Sequence, residues 1–293
     1  MAVLVPRSLD EAFAMLERSP EAELLAGGTD FMVEVNAGLR RPSAVLCLGR
    51  IPEIAGWRRE DGHVVLGAGL TYTEMMEPEL AGLVPGLARA ARTVGSPQIR
   101  NAGTVGGNLG TASPAGDSLP LLAALEATVV VGHLAGTRRT LSLSQLLTGP
   151  KRTSLEPGEI ILEVRVPANF GTQEFLKVGT RNAMVIAVAS VAVVVDWVGH
   201  GVRIALGSAG PVVIRATDAE ELAESRIDWE ERRLAAGEDD LSDFVDLVRA
   251  AARPIDDHRS TAQYRRHAVG VCAERALRRA FQGDDRKEEP WSS

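Results

Sequence analysis

The sequence predicts an α+β protein of two domains, and three observations lead to this prediction. The chain has 293 residues, which is enough for about two domains of ordinary size. Up to Pro167, short apolar segments typical of strands alternate with amphipathic segments typical of helices. Beyond it the strand-like segments come first and the helical ones follow, as in α+β folds. We therefore predict a first domain at 1–167, with subdomains 1–54 and 55–167, and a second α+β domain at 168–283, an antiparallel sheet with helices.

The first subdomain is predicted to contain a helix followed by a βαβ unit. Ser8 precedes an apolar stripe and Glu11 follows three residues later, which is the pattern of a capping box at a helix start. "AELLAG" predicts a short buried strand, and "FMVEVNAGL" predicts a helix that ends at Gly38. "AVLCLG" then predicts the second strand of the unit.

The second subdomain and the second domain follow the same logic. "HVVLGAGL", "TVVVGH", "TRRTLSL" and "EIILEVRVP" predict strands, and Pro85 and Gly95 bracket a helix. "EFLKVG", "SVAVVVDWV" and "GVRIALGSAG" predict the strands of the second domain. Three helical segments come after them, the first with Thr217 and Glu220 as a capping box. The last ten residues, 284–293, have the composition of a disordered tail.

Composition and charge argue against several functions. The net charge of −7 opposes binding to a nucleic-acid backbone. Cys47 and Cys272 stand far apart among apolar residues, so we predict reduced thiols in a cytoplasmic protein and no iron–sulfur or zinc ligands. The five histidines lack metal-ligand spacing, and neither a nucleophile elbow nor a catalytic Cys–His pair occurs. No signal peptide is evident, and the longest apolar run, which ends at Asp196, predicts a buried strand rather than a membrane span.

Two glycine-rich motifs are the best candidates for a binding site. In "LLAGGTDF", 24–31, a strand ends, glycines turn the chain and a helix starts, so backbone N–H groups are available to an anion. On this motif alone, an ordinary strand-to-helix loop is the better interpretation. Glycines cluster again in "RNAGTVGGNLGTASPAGD", 100–117. A long surface loop without a binding role is the alternative interpretation, but the length of the stretch and its apolar flanks favour a binding role. Neither the Rossmann nor the P-loop spacing occurs, and "TGPKRT" at 148–153 fails the latter.

Four segments together resemble a known family. "LLAGGTDFM", "SPQIRNAGTVGGNLGTASPAGDSLP", "EIILEVRVP" and "FLKVGTRNAMVIAV" are similar to the FAD-binding subunit, or medium chain, of the molybdenum hydroxylases, which include xanthine dehydrogenase and aerobic carbon monoxide dehydrogenase. The resemblance covers almost the whole chain. It implies a two-subdomain PCMH-type FAD-binding domain followed by a C-terminal domain like that of the carbon monoxide dehydrogenase flavoprotein. "SPQIRN" and "KVGTRNAMVIAV" look most like bacterial xanthine dehydrogenase-type members.

The resemblance also implies a set of cofactor-binding residues and no catalytic or metal-binding ones in this chain. The first motif would contact the FAD diphosphate, Asp117 would hold hydroxyls of the cofactor, Ile161 would pack beside the flavin, and Lys177 would lie near the cofactor. The full set is Leu25, Ala26, Gly27, Gly28, Thr29, Asp30, Phe31, Gly103, Thr104, Gly106, Gly107, Asn108, Thr111, Ser113, Asp117, Ile161 and Lys177. Since neither motif contains His or Cys, the flavin is expected to be non-covalent.

The implied function is that of an oxidoreductase subunit. Substrate hydroxylation would take place at a molybdopterin centre, and electrons would pass through [2Fe–2S] clusters, both in partner subunits of a heterotrimer. This chain would take electrons from the cluster and deliver them to NAD⁺ or another acceptor, with the flavin carrying the chemistry. The alternative is a non-redox nucleotide- or phosphate-binding assembly subunit, because backbone N–H groups bind any phosphate.

Overall fold

The computed structural model describes residues 1–134, 136–168, 171–235 and 240–281, and the tail predicted at 284–293 lies outside them. The strands are β1 (Ala2–Leu4), β2 (Glu23–Leu25), β3 (Ala44–Cys47), β4 (Trp57–Glu60), β5 (His63–Gly67), β6 (Thr128–His133), β7 (Arg138–Ser142), β8 (Leu147–Gly149), β9 (Arg152–Thr153), β10 (Glu159–Pro167), β11 (Thr172–Val178), β12 (Ala189–Asp196), β13 (Gly201–Gly207), β14 (Ile214–Arg215), β15 (Ile227–Asp228) and β16 (Arg233–Leu234). The helices are α1 (Leu9–Arg18), α2 (Phe31–Asn36), α3 (Pro78–Leu83), α4 (Pro85–Arg92), α5 (Pro97–Ala102), α6 (Val105–Thr111), α7 (Ser118–Ala124), α8 (Leu143–Leu146), α9 (Thr217–Ser225), α10 (Ser242–Ala251) and α11 (Ala262–Phe281). Single 3₁₀ turns lie at Leu48–Arg50, Pro52–Ile54 and Glu74–Met76.

The first layer is a three-stranded parallel sheet in the order β1-β3-β2. The predicted βαβ unit is present as β2, α2 and β3. Ser8 caps α1 as predicted, with its Oγ accepting from the Glu11 N–H at 3.1 Å, although the Glu11 carboxylate accepts from the N–H of Arg7 instead. Strand β1 was not predicted, because a strand of three residues is too short to show an alternating pattern.

The second layer is a five-stranded antiparallel sheet in the order β4-β5-β10-β6-β7. Its central strand, β10, is "EIILEVRVP", and most of its apolar side chains are buried. Helix α6 packs against β10 and α7 packs against α4, so the helices lie between this sheet and the C-terminal domain.

The second glycine-rich motif, 100–117, for which the sequence indicated no helix, is largely helical. Ser96 caps α5 and Thr104 caps α6; the Thr104 Oγ1 accepts from the Gly107 N–H at 3.0 Å. These caps and Pro97 at the first position of α5 supply the start signals that offset the low helix propensity of glycine.

The C-terminal domain is built on an antiparallel sheet in the order β11-β12-β13-β14. This agrees with the predicted antiparallel sheet with helices. Strand β12 is the second half of the longest apolar run of the sequence, and each of its residues before Asp196 is buried, whereas Met184 and Ile186 earlier in the run are exposed and precede the strand. Its side chains alternate between two cores: Ala192 and Val194 join the core of the first domain, whereas Val193 and Val195 face α10 and α11. Two-sided burial explains why the run shows no polar alternation.

One helix start differs from the prediction. Helix α9 begins at Thr217, but no side chain caps it. The Glu220 carboxylate instead accepts from the N–H of Ile204 at 2.7 Å and pairs with Arg215 at 2.6 Å, because β13 and β14 lie beside this helix. Among the helices of the described residues, none combines the length and apolar character that a membrane crossing requires.

Candidate functional site

A cavity of about 750 Å³ lies where the first and second layers meet, and this volume is typical of small-molecule sites. Most of the predicted site residues line it: Ala26, Gly27, Gly28, Thr29, Asp30, Phe31, Gly103, Thr104, Gly106, Gly107, Asn108, Thr111 and Ile161. Leu25, Ser113, Asp117 and Lys177 do not line it. The fold therefore brings the two glycine-rich motifs, which are about 75 residues apart in the sequence, to one cavity.

The two motifs touch through their backbones at Gly27. A Cβ atom on this residue would lie 1.8 Å from the carbonyl oxygen of Ala102 and 2.9 Å from the Cα of Gly103. No side chain can be accommodated at that separation. Gly28 next to it has a φ of +72°, which favours glycine. Both glycines of the first motif are thus required by the local geometry.

The first motif presents a run of unpaired backbone donors. Among the described residues, the N–H groups of Gly27, Gly28, Thr29, Asp30 and Phe31 donate to no other part of the chain, and Met32 is the first to donate, to the Gly28 carbonyl at 2.9 Å. Since these residues line the cavity, a bound anion can satisfy the free donors.

The second motif is different, because its N–H groups from Val105 to Asn108 already have acceptors within the chain. The N–H groups of Val105 and Gly106 donate to the carbonyls of Leu70 and Ala68, at 3.0 and 2.9 Å. Those of Gly107 and Asn108 donate to Oγ1 and the carbonyl of Thr104, both at 3.0 Å. Among the described residues, the N–H group of Thr104 donates to no other part of the chain, so the first motif offers five free donors at the cavity and the start of α6 offers one.

The glycines of α6 have distinct roles. A Cβ on Gly106 would lie 2.7 Å from the Ala68 carbonyl oxygen, so this glycine allows close packing onto the chain after β5. A Cβ on Gly107 would meet only Thr104 Oγ1 at 3.0 Å and the Ala26 Cβ at 3.5 Å, and one on Gly110 would meet nothing within 4 Å. Both line the cavity. They leave a side of the helix bare where a ligand can lie directly against it.

Charged residues that the sequence analysis did not identify also line the cavity. Lys151 Nζ lies 2.5 Å from Glu34 Oε1, and Arg40 contacts Glu34 at 3.2 Å and Glu23 at 2.5 Å. Burial raises the pKa of the Asp30 carboxyl, with Lys151 opposing this effect. Lys151 belongs to the segment "TGPKRT". The sequence shows only a lysine near a glycine there, and this pattern does not indicate which cavity the lysine lines.

Asp117 and Lys177 meet each other next to the cavity. Lys177 Nζ lies 2.5 Å from Asp117 Oδ2, both side chains are more than nine-tenths buried, and the Thr93 hydroxyl donates to the same oxygen at 3.2 Å. Asp117 Oδ1 has no hydrogen-bond partner among the residues that the structure describes. Burial raises the pKa of Asp117 to about 6, although the Lys177 ammonium opposes the shift. The charge of Asp117 acts on the buried hydroxyl of Tyr72, which does line the cavity.

The two remaining predicted residues have local roles. Leu25 ends β2 and is half-buried there. Ser113 Oγ accepts from the Ala115 N–H at 3.3 Å within the loop before α7.

Comparisons with known proteins agree with this architecture. Residues 1–169 match the model of the FAD binding domain in molybdopterin dehydrogenase, and residues 174–280 match that of the carbon monoxide dehydrogenase flavoprotein C-terminal domain. Fold and site thus define an FAD-binding flavoprotein, an oxidoreductase component. The chain belongs to the family of FAD-binding medium subunits of the molybdenum hydroxylases.

Three relatives illustrate the range of the family. The chain is 32% identical to the carbon monoxide dehydrogenase medium chain of Hydrogenophaga pseudoflava, over 94% of this chain and 95% of that one. The solved carbon monoxide dehydrogenase of that organism superposes with a TM-score of 0.85, at 31% identity, covering 96% of this chain and 97% of that chain. The nicotinate dehydrogenase FAD-subunit of Eubacterium barkeri is 36% identical, over 70% of this chain and 69% of its own length. The xanthine dehydrogenase FAD-binding subunit of Escherichia coli O157:H7 is 27% identical, over 93% of each.

The cavity fits the cofactor of this family. Its size, the five unpaired N–H groups of the first motif and the bare side of α6 match a ligand with a diphosphate and two flat ring systems. The sequence-based predictions of the family, of the α+β fold and of FAD as cofactor are confirmed.

Proposed function

We propose that this chain is the medium subunit of a three-subunit molybdenum hydroxylase, in which it holds non-covalent FAD between two redox partners. It takes electrons from a [2Fe–2S] small subunit and passes them to NAD⁺ or another acceptor. The observation that supports this proposal most is the meeting of the two glycine-rich motifs at one cavity with unpaired backbone donors. FAD supplies the redox chemistry, and the chain binds and orients it.

The described residues divide the binding task. The free N–H groups from Gly27 to Phe31 are proposed to hold the diphosphate, and Gly107 lets it approach α6. Ile161 contributes apolar surface to the cavity for a ring system. Within the described part of the chain, Asp117 keeps one carboxylate oxygen without a partner. We propose that this oxygen accepts from a hydroxyl of the cofactor while Lys177 holds the other one.

The [2Fe–2S] clusters are proposed to reside in the small partner subunit, and molybdopterin in the large one. The two cysteines of this chain are fewer than the four thiolates that such a cluster ordinarily requires. A medium chain of carbon monoxide dehydrogenase and a medium subunit of nicotine 6-hydroxylase are among the relatives, at 32% and 31% identity, which supports a multi-subunit assembly. A cytoplasmic location stays a prediction.

The finer proposal is a holoenzyme of the xanthine dehydrogenase type. Similarity to the xanthine dehydrogenase subunit, at 27% identity, is no greater than similarity to the carbon monoxide or nicotinate subunits, at 32% and 36%. Substrate is selected at the molybdenum site, so the decisive assay is reduction of the purified holoenzyme by xanthine, nicotinate or carbon monoxide. Reduction by either of the latter without reduction by xanthine would refute the finer proposal only.

FAD titration of the purified full-length chain tests the central proposal. We expect one FAD per chain, with quenching of the flavin fluorescence, and release of unmodified flavin on denaturation. Binding of adenine nucleotides without any flavin uptake would favour the non-redox assembly subunit instead.

A further inference from the structure

We propose that Lys151 is a cationic ligand of the FAD diphosphate and that it exchanges Glu34 for the diphosphate when the cofactor binds. This inference rests on the proposed function, because it concerns how the same cavity holds its ligand. The residue lies in the turn between β8 and β9, far in sequence from both glycine-rich motifs.

The contacts place Lys151 beside the unpaired donors of the first motif. Its Nζ lies 2.5 Å from Oε1 of Glu34, a residue of α2, the helix whose start carries those donors. Lys151, Glu34 and the residues of the five donors all line the cavity. The Lys151 charge also acts on Asp30, whose own N–H is one of the five free donors. An anion bound to these donors is therefore within the field of the Lys151 ammonium.

The second cation of the cavity is already committed elsewhere. The Arg40 guanidinium contacts Glu23 at 2.5 Å and Glu34 at 3.2 Å, and lies 4.4 Å from the centre of the Phe31 ring. Within the described part of the chain, Glu34 is the one ion-pair partner of Lys151, whose side chain is 61% exposed. Lys151 can change partner without leaving Glu34 unpaired, since Arg40 stays with it.

The charge balance of the cavity requires such a cation. Three carboxylates, those of Glu23, Asp30 and Glu34, face the same space as the two cations. A diphosphate adds further negative charge, and backbone N–H groups carry only partial positive charge. An ammonium that moves from a carboxylate to the diphosphate offsets this repulsion.

The backbone holds the turn of Lys151 in place. Its N–H donates to the carbonyl of Ala112 at 3.0 Å, and Ala112 is the C-cap residue directly after α6. The φ of Lys151 is +55°, a conformation that glycine adopts more easily. The presence of lysine at a position that favours glycine supports a function for the side chain. The same φ value means that the turn tolerates Lys151→Gly.

The test compares FAD and ADP affinities of the full-length chain by titration calorimetry. We expect Lys151→Met and Lys151→Gly to lower the affinities for FAD and ADP at least about tenfold, which is the effect of a lost charge-assisted hydrogen bond. The affinities of these variants should also depend less on salt concentration. Lys151→Arg should retain most of the affinity. Arg152→Met is the matched control, because Arg152 is adjacent and exposed but does not line the cavity; it should stay within about twofold of the wild type.

A variant of the partner separates direct binding from support of the cavity wall. Glu34→Gln breaks the same ion pair but leaves the ammonium free, so its FAD affinity should equal or exceed that of the wild type. Loss of affinity in Glu34→Gln as large as that in Lys151→Met would overturn the proposal, and so would unchanged affinity in both Lys151→Met and Lys151→Gly. A wild-type chain that binds neither FAD nor ADP would instead overturn the proposed function and this inference with it.

Discussion

Gly107→Val tests whether the bare side of α6 exists for the cofactor. The new side chain begins at a Cβ that touches only Thr104 Oγ1 at 3.0 Å and Ala26 at 3.5 Å, and it extends into the cavity. Helix propensity favours valine over glycine by a few tenths of a kcal/mol, so the free energy of unfolding of the apoprotein should change by less than about 1 kcal/mol. The fold is expected to survive.

The FAD affinity should fall much further than the stability. Overpacking of a well-filled contact costs about 1–3 kcal/mol, which corresponds to roughly 5- to 150-fold in the dissociation constant. Urea unfolding of the apoprotein and FAD titration of the same preparation measure the two quantities independently.

Gly106→Ala is the matched control in the same helix. Its Cβ would lie 2.7 Å from the Ala68 backbone oxygen, which cannot move without disturbing the sheet, so the apoprotein itself should lose stability. The reasoning is refuted if Gly107→Val binds FAD as the wild type does. It is equally refuted if Gly107→Val destabilises the apoprotein as much as Gly106→Ala.

Two further predictions concern the buried charges. Asp117→Asn leaves the buried Lys177 ammonium without its carboxylate partner, so the free energy of unfolding measured in urea should fall by about 3–5 kcal/mol. The double variant Asp117→Asn with Lys177→Met should lose less stability than the single variant. An equal or larger loss in the double variant would contradict this prediction. Burial of Asp257 is outweighed by hydrogen bonds from the N–H groups of Arg259 and Ser260 and from the Arg265 guanidinium, which lower its pKa to about 2 from the usual 3.8. Because the folded-state pKa is the lower one, this contribution to stability is complete above the usual pKa of 3.8 and is lost as the pH falls through 2. The stability deficit of Asp257→Asn should therefore shrink between pH 5 and pH 2, and a constant deficit would contradict the assignment.

Local signals predicted most of the secondary structure. The Ser8 cap, Pro85 at the start of α4 and the apolar run of β12 each act over a few residues, through backbone hydrogen bonds or burial. Errors arose where the signal was weak or ambiguous. Strand β1 is too short to show an alternating pattern of apolar residues. Helix α6 was not predicted because its glycines have low helix propensity; it depends on the Thr104 cap and on packing against Ala68.

The sequence by itself determined the fold class, the family and the two motifs that line the cavity, because these depend on residue order and spacing. Only the tertiary structure decided which donors are free. The N–H groups of Val105 and Gly106 are satisfied by the carbonyls of Leu70 and Ala68, while those from Gly27 to Phe31 stay open among the described residues. It also decided that Lys151 lies beside Glu34, 117 residues away in the sequence. Charges and backbone donors act over a few ångströms in space, and separation along the chain does not reveal which of them the fold brings that close.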